Sequence, residues 1–446
     1  MKKTVAILLC SIMVLSFAGC AKKEAPAPET VPETAAATEA PTEAAAEASA
    51  EAATEAPTEA ETEAPAPAAT SDIASKIPEK VELIHPVVVT VHQGAQDDEN
   101  KMIYTAEWGG AQLDKDEQQL YPQLAAALDE QIEASKQGII NLRNEIVKNN
   151  LPDMAKNEGF NGFEFKENYQ IVRSDSAFTS VKTLAFSYTG GAHPNSGIAG
   201  NTYSTQDGTK IRLSDIFADE AAVLNTIHDR LKEDYPDAGF FNLDEDIKMY
   251  KFDAGENDVK LTWTLGYNGV TFYFNPYELA PYASGIQTVT LSFRDYPDLY
   301  VKGVDCYNGD YMTPILTDTK NPFGDGTVTI EGIYDQYGYA NKLVITVNGN
   351  RSEFEGRTYT IDPYLAYKDG KYSVYVFESG DDDERWCDKY DIVDGAAVAV
   401  ERIKGGIPLS DSVADVDEPM EGYHNYQRVH INYVPVDPNN LQISEK

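Results

Sequence analysis

The chain has 446 residues, enough for two or three domains. It carries 73 acidic and 36 basic residues; 11 and 4 of these precede Asp72, so residues 72–446 keep a formal charge of −30. Such a surface argues against nucleic acid and anionic lipid as partners, and it suits either a basic partner or plain solubility.

The N-terminus opens Met1-Lys2-Lys3 and continues as TVAILLCSIMVLSF, Thr4 to Phe17. That apolar run is too short to span a bilayer but fits the core of a secretory signal. It ends in Phe17-Ala18-Gly19-Cys20, which resembles the lipobox of bacterial lipoproteins, with Phe17 where leucine is usual. The resemblance implies cleavage of residues 1–19 and a diacylglycerol on Cys20. The expected location is then extracytoplasmic, with the chain anchored to the membrane through that lipid. Residues 20–78 read as a linker of Ala, Glu, Pro and Thr. Up to about Ser71 it has no aromatic residue, so it cannot bury enough surface to offset its chain entropy.

A first hairpin is expected over Val81–Trp108, turning on GAQDDENK, with His85 and His92 as sheet or surface residues. Then the period changes. Leu124, Leu128, Ile132, Ile139 and Ile146 recur at helical spacing behind Pro122, which predicts an amphipathic helix ending before Pro152. Strands return at NYQIVRS and FTSVKTLAFSY, followed by Gly190-Gly191 and His193-Pro194. Next come a hairpin on Asp207-Gly208 and a helix FADEAAVLNTIHDRLKEDY capped at Ser214 or Asp215. A hairpin on Asn268-Gly269, the stretch FYFNPYELAPYASG and the strand GIQTVTLSF follow. From Asp305 onward the pattern is short alternating runs. Asn348-Gly349, Asp369-Gly370 and Asp394-Gly395 punctuate them, as in a sandwich or a few propeller-like blades.

The segments TLAFSYTGGAHPNSG, TYSTQDGTKIRLSDIF and NGVTFYFNPYELAPYASGIQTVTLSF resemble a linked pair of extracytoplasmic domains, over roughly Lys80 to Pro297. The pair occurs in RsiV-type anti-sigma factors, whose ectodomain senses lysozyme. It also precedes the catalytic domain of PdaC-type peptidoglycan deacetylases. The resemblance implies an α+β fold of two small domains of antiparallel sheet with packed helices. These would be a PdaC-type domain at 79–190 and an RsiV-type domain at 191–304, ahead of an all-β region at 305–446. Two departures bear on function. The expected signal and lipid anchor leave nothing in the cytoplasm to hold a sigma factor. The part after Val304 is too short for a deacetylase barrel and has only His424 and His430.

No motif carries catalysis. His193 and His228 lack a nucleophile motif. Asp381-Asp382-Asp383-Glu384 is contiguous, so its side chains diverge, and no His/Cys cluster has zinc spacing. No metal or cofactor is expected. Cys306 and Cys387 could form one disulfide or stay free thiols. The candidate contact residues are Asn275, Pro276, Tyr277, Glu278, Pro281 and Tyr282, with His193 on its stiff loop. Two prolines fix the chain there, and the tyrosines can bury rings while keeping a hydroxyl wet. A rigid structural corner would look the same. The resemblance points to a non-catalytic envelope protein that binds lysozyme or a similar basic hydrolase, with peptidoglycan as the alternative and an envelope enzyme as the second.

Overall fold

The computed structural model describes residues 72–444 except 155, 157, 158, 192, 256, 257, 318, 325 and 381–383. The expected signal, Cys20 and most of the linker lie outside the described residues, as do three acids of the Asp381–Glu384 run. Among the described residues no helix is long and apolar enough to cross a membrane.

The fold is α+β, with antiparallel sheets and a strand-rich C-terminal region. The first hairpin pairs β1 (Val87–Gln96) with β2 (Met102–Gln112) across the expected polar turn. A short helix α1 (Lys115–Leu120) leads into α2 (Pro122–Met154), which packs along β2. Leu124, Leu128, Ile139 and Ile146 are buried as their spacing predicts. Ile132 meets Gly110 of β2; a Cβ there would lie 2.8 Å from its Cγ1, so the close approach needs the glycine. The helix runs past the expected stop and keeps Pro152 in its last turn, where few further backbone bonds remain to be lost.

The helix carries the chain to β3 (Phe163–Ser174), parallel to β2. Then β4 (Phe178–Tyr188) and β5 (Asn195–Ser204) extend the sheet antiparallel. The expected domain break at 190/191 therefore falls inside one sheet. Beyond it, the Asp207-Gly208 turn closes on a single bridge, Tyr203 to Lys210, rather than a full hairpin. The expected helix divides into α3 (Leu213–Ile216) and α4 (Glu220–Asp234). Asp219 caps α4 by accepting from Ala222 N at 3.0 Å, in place of the expected Ser214 or Asp215. After α5 (Leu243–Asp246) and a short parallel pair, β6 (Tyr250–Lys251) with β7 (Val259–Lys260), a three-stranded sheet forms. It comprises β8 (Thr262–Leu265), β9 (Gly269–Phe274) and β10 (Gln287–Ser292). One core joins this sheet to α4 through Val223, Ile227, Leu231, Phe272, Phe274, Val289 and Leu291. Ile73, within the expected linker, is buried in the same core, so the folded part begins before residue 79.

The C-terminal region contributes two packed sheets. One holds β12 (Asn321–Phe323), β13 (Gly326–Tyr334), β14 (Ala340–Val347) and β15 (Asn350–Thr358). The other holds β11 (Tyr311–Pro314), β16 (Thr360–Lys368), β17 (Lys371–Ser379), β18 (Arg385–Val393) and β19 (Ala396–Lys404). Val328, Ile330 and Ile345 of the first pack with Leu365, Val374 and Val376 of the second, which makes a sandwich rather than blades. Asn348, Asp369 and Asp394 each have φ of 49° and precede a glycine of positive φ, as two-residue hairpin turns require.

Two findings correct the expected C-terminal domain. First, β20 (Leu409–Val413) and β21 (His424–Tyr433) leave the sandwich, and β21 pairs with β1 in the N-terminal sheet, order β20-β21-β1-β2-β3-β4-β5. Gln93 on β1 ties this return in place by donating to Asp417 O and Gln427 Oε1. Second, Val304 itself is buried at the expected boundary, between exposed neighbours. Arg173 of β3, paired with Asp175 at 2.7 Å, donates to Val304 O at 3.3 Å. Of the two alternatives for the cysteines, the structure has the free thiols. Cys306 lies beside Arg173 while Cys387 is sealed among Met312, Tyr364 and Phe377.

Candidate binding site

Where β9 ends, Asn275 turns back onto the edge strand β5. Its Oδ1 accepts from Ile198 N at 2.6 Å and its Nδ2 donates to Ile198 O at 3.2 Å. These backbone groups face away from β4, so the amide takes the place of a neighbouring strand and covers an open edge. Asn275 is buried. It belongs to the foundation of the loop rather than its contact surface.

A tight turn follows. Tyr277 N donates to Ala280 O and Glu278 N to Asn275 O, both at 3.0 Å. Leu279 and Ala280 are buried, and Phe241 N donates to Leu279 O, which nails the loop to the core. Tyr277 alone pays for this geometry: it has φ of 70°, a conformation unfavourable for a bulky side chain, and is 55% exposed. Pro276 is half-buried and Pro281 exposed.

Glu278 behaves differently from its expected role as an outward acid. Its Oε1 accepts from Asn275 Nδ2 at 3.1 Å, and its Oε2 from Tyr250 OH at 3.4 Å. Burial of this carboxyl raises its pKa, although part of the residue reaches the surface. Glu278 therefore positions the turn.

The remaining candidates assemble an aromatic surface. The His193 ring stacks on Tyr282, centroids 4.2 Å apart at 26°, and Tyr277 lies 5.8 Å from Tyr282. Tyr282 is half-buried and donates its hydroxyl to Pro194 O at 3.1 Å. His193 is exposed, with Nδ1 2.9 Å from the same carbonyl. Residues far apart in the chain thus make one platform of three rings on a proline-stiffened base. Sequence reasoning missed Tyr250, which holds Glu278 from beneath and packs edge-on against Phe274. Its only signal was an aromatic residue at the start of a two-residue strand.

The other histidines stand apart. His228 bridges Asp229 and Asp244 on the surface of α4, and His92 lies against His430 and Glu107 on the outer sheet. Among the described residues no group of His, Cys, Asp and Glu is arranged to hold a metal ion.

PdaC-type and DUF3298 domains are present in the chain. Residues 116–196 match the family described as deacetylase PdaC, and residues 214–294 match DUF3298, a family of unknown function. The platform straddles the two matches, with His193 in the first and Tyr277 and Tyr282 in the second. Two solved structures are similar. One is a DUF3298 family member from Bacteroides fragilis, 16% identical, covering 50% of this chain and 94% of its own, with a TM-score of 0.34. The other is a DUF3298 family protein from Pseudomonas aeruginosa, 15% identical, covering 51% of this chain and 97% of its own, with a TM-score of 0.33. No curated protein matches the chain.

Proposed function

We propose that the chain is a non-catalytic binding protein of the bacterial cell envelope, a lipoprotein anchored at Cys20, with the platform of His193, Tyr277 and Tyr282 as its contact surface. The observation that carries this reading is Tyr277. A bulky ring is held exposed in a strained turn, while Asn275, Glu278 and Leu279 lock the turn from below. Strain kept at a surface residue marks a position selected for what it presents rather than for stability. Tyrosine suits that task, since a rigid amphipathic ring gives contact area at low entropy cost.

The leading partner is a basic wall hydrolase of the lysozyme kind. The formal charge of −30 over residues 72–446 steers such a partner by long-range attraction. The resemblance to the RsiV-type ectodomain supports the same choice. A second reading, a wall glycan, is favoured by the stacked His193 and Tyr282 rings, which offer a flat face to a sugar.

Titration of the protein with lysozyme and with purified peptidoglycan, at low and at physiological salt, tests both. Lysozyme binding that weakens steeply with salt and is lost in Tyr277→Ala supports the leading reading. Salt-insensitive peptidoglycan binding lost in the same variant supports the second. Binding of either that survives Tyr277→Ala removes the platform from the contact.

A further inference from the structure

The face of β4 that carries Ser180 and Lys182 is covered by β8 and β9. Ser180 Oγ accepts from Leu265 N at 3.1 Å, and a Cβ on Gly200 of β5 would lie 1.9 Å from Trp263 O, so the two sheets meet backbone to backbone. The C-terminal sandwich closes the third side, where Thr313 of β11 donates to Val172 O. A cavity of about 80 Å³ remains at this junction. Lys182 lines it, and Lys182 is only 1% exposed.

The Lys182 ammonium has no hydrogen-bond or ion-pair partner among the described residues. Its neighbours are the Tyr273 ring, 6.0 Å from Nζ, and the field of Asp362 from β16. Lys320 lines the same cavity. Burial drives the Lys182 amine down to about 7 and the Asp362 carboxyl up to about 6. Asp362 is the nearest opposite charge and makes no ion pair with it, and a buried ammonium without a hydrogen-bonded counter-ion is a costly arrangement in a fold.

The cavity wall is rich in hydroxyls that are already paired with each other. Thr264 meets Tyr273 and Thr271 meets Thr290, each at 2.9 Å. Tyr273 also interacts with Thr271, so the four hydroxyls form one chain in which three O–H groups are donated along it and one stays free to donate. The wall therefore offers a cation and a spare hydroxyl donor, which is the complement of an oxyanion. The volume has room for a few waters or one anion of about four or five heavy atoms.

We propose that this cavity is a binding site for a small oxyanion, held by the Lys182 ammonium and the spare wall hydroxyl where the three sheets meet. Acetate and inorganic phosphate share that chemistry and differ in shape and charge. The site is separate from the aromatic platform and does not depend on its function.

Thermal unfolding and calorimetric titration of the whole protein with acetate, with phosphate and with chloride at matched ionic strength make the test. Acetate or phosphate should raise the melting temperature beyond chloride near pH 6, and the responding arm identifies the class. Apparent affinity should fall about tenfold per pH unit above about 7, as the amine loses its proton. Lys182→Met should lose the response. If that variant does not fold, the pH dependence of the wild-type titration decides alone. No response beyond chloride, a pH-independent response, or an undiminished response in folded Lys182→Met would overturn the proposal.

Discussion

Arg173 and Lys182 sit on neighbouring strands, and each is 1% exposed. Their surroundings differ completely. Arg173 is paired with Asp175, donates to Val304 O and approaches the Phe178 and Tyr267 rings. Asp175 in turn accepts from Ala177 N and Phe178 N, each at 2.8 Å. Lys182 faces a cavity with no such partner. Depth alone thus does not say what a buried charge is for. A saturated one is a rivet, here between β3 and the start of the C-terminal region; an unsaturated one invites a ligand.

The sharpest way to break this contrast is to remove one partner of the saturated pair. Asp175→Ala leaves the Arg173 guanidinium buried without its carboxylate and should cost about 3–5 kcal/mol in urea-unfolding experiments. A loss below about 1 kcal/mol would mean that Arg173 is satisfied without it.

Lys182→Met should act in the opposite direction. With no small oxyanion in the buffer, it should stabilise the protein by about 1–4 kcal/mol at neutral pH, because a costly buried charge is replaced by an apolar side chain of similar length. The pH profile gives the sign. The folded amine titrates near 7 and the unfolded one near about 10.4, so between these values the unfolded state holds more protons. Wild-type stability from Lys182 therefore rises with pH across that window, and the Met variant should lack the rise. Parallel pH profiles for the two proteins would contradict the assignment.

Tyr277 carries strain rather than charge. Tyr277→Gly should leave stability unchanged or raise it by up to about 1 kcal/mol, since φ of 70° suits glycine. Partner affinity should nonetheless drop about thirtyfold, the usual effect of losing about 2 kcal/mol at an anchor. Tyr282→Ala should instead lower the melting temperature, because Tyr282 is half-buried and bonded to Pro194 O. Melting curves and titrations of both variants separate the ring that contacts from the ring that supports.

Glu278 falls between the two cations, at the surface but with its carboxylate served by Asn275 and Tyr250. Its raised pKa means that the folded state holds the proton more tightly than the unfolded one. Wild-type stability should therefore fall slightly as pH rises through the carboxylate range, and Glu278→Gln should remove that slope. The same variant should leave the salt dependence of partner binding unaltered, as its carboxylate points inward. A flattened salt dependence in titrations would return Glu278 to the contact surface.

Local chemistry was legible from the residues. The turns at Asn348-Gly349, Asp369-Gly370 and Asp394-Gly395, the apolar stripe of α2 and the alternating strands appear where their patterns predict, because positive φ and side-chain period are properties of adjacent residues. The loop at 275–285 was also visible, through its prolines and tyrosines. Its division of labour was not. Asn275 and Glu278 read like surface contacts until β5 and Tyr250 are placed beside them. Lys182 left a faint mark as the single charge in FTSVKTLAF, yet an alternating strand can turn a lysine to water as easily as to a core. The return of β21 to β1 left none. Strand pairing across the whole length of a domain depends on which edge is open once everything else has folded, and only the tertiary structure decides that.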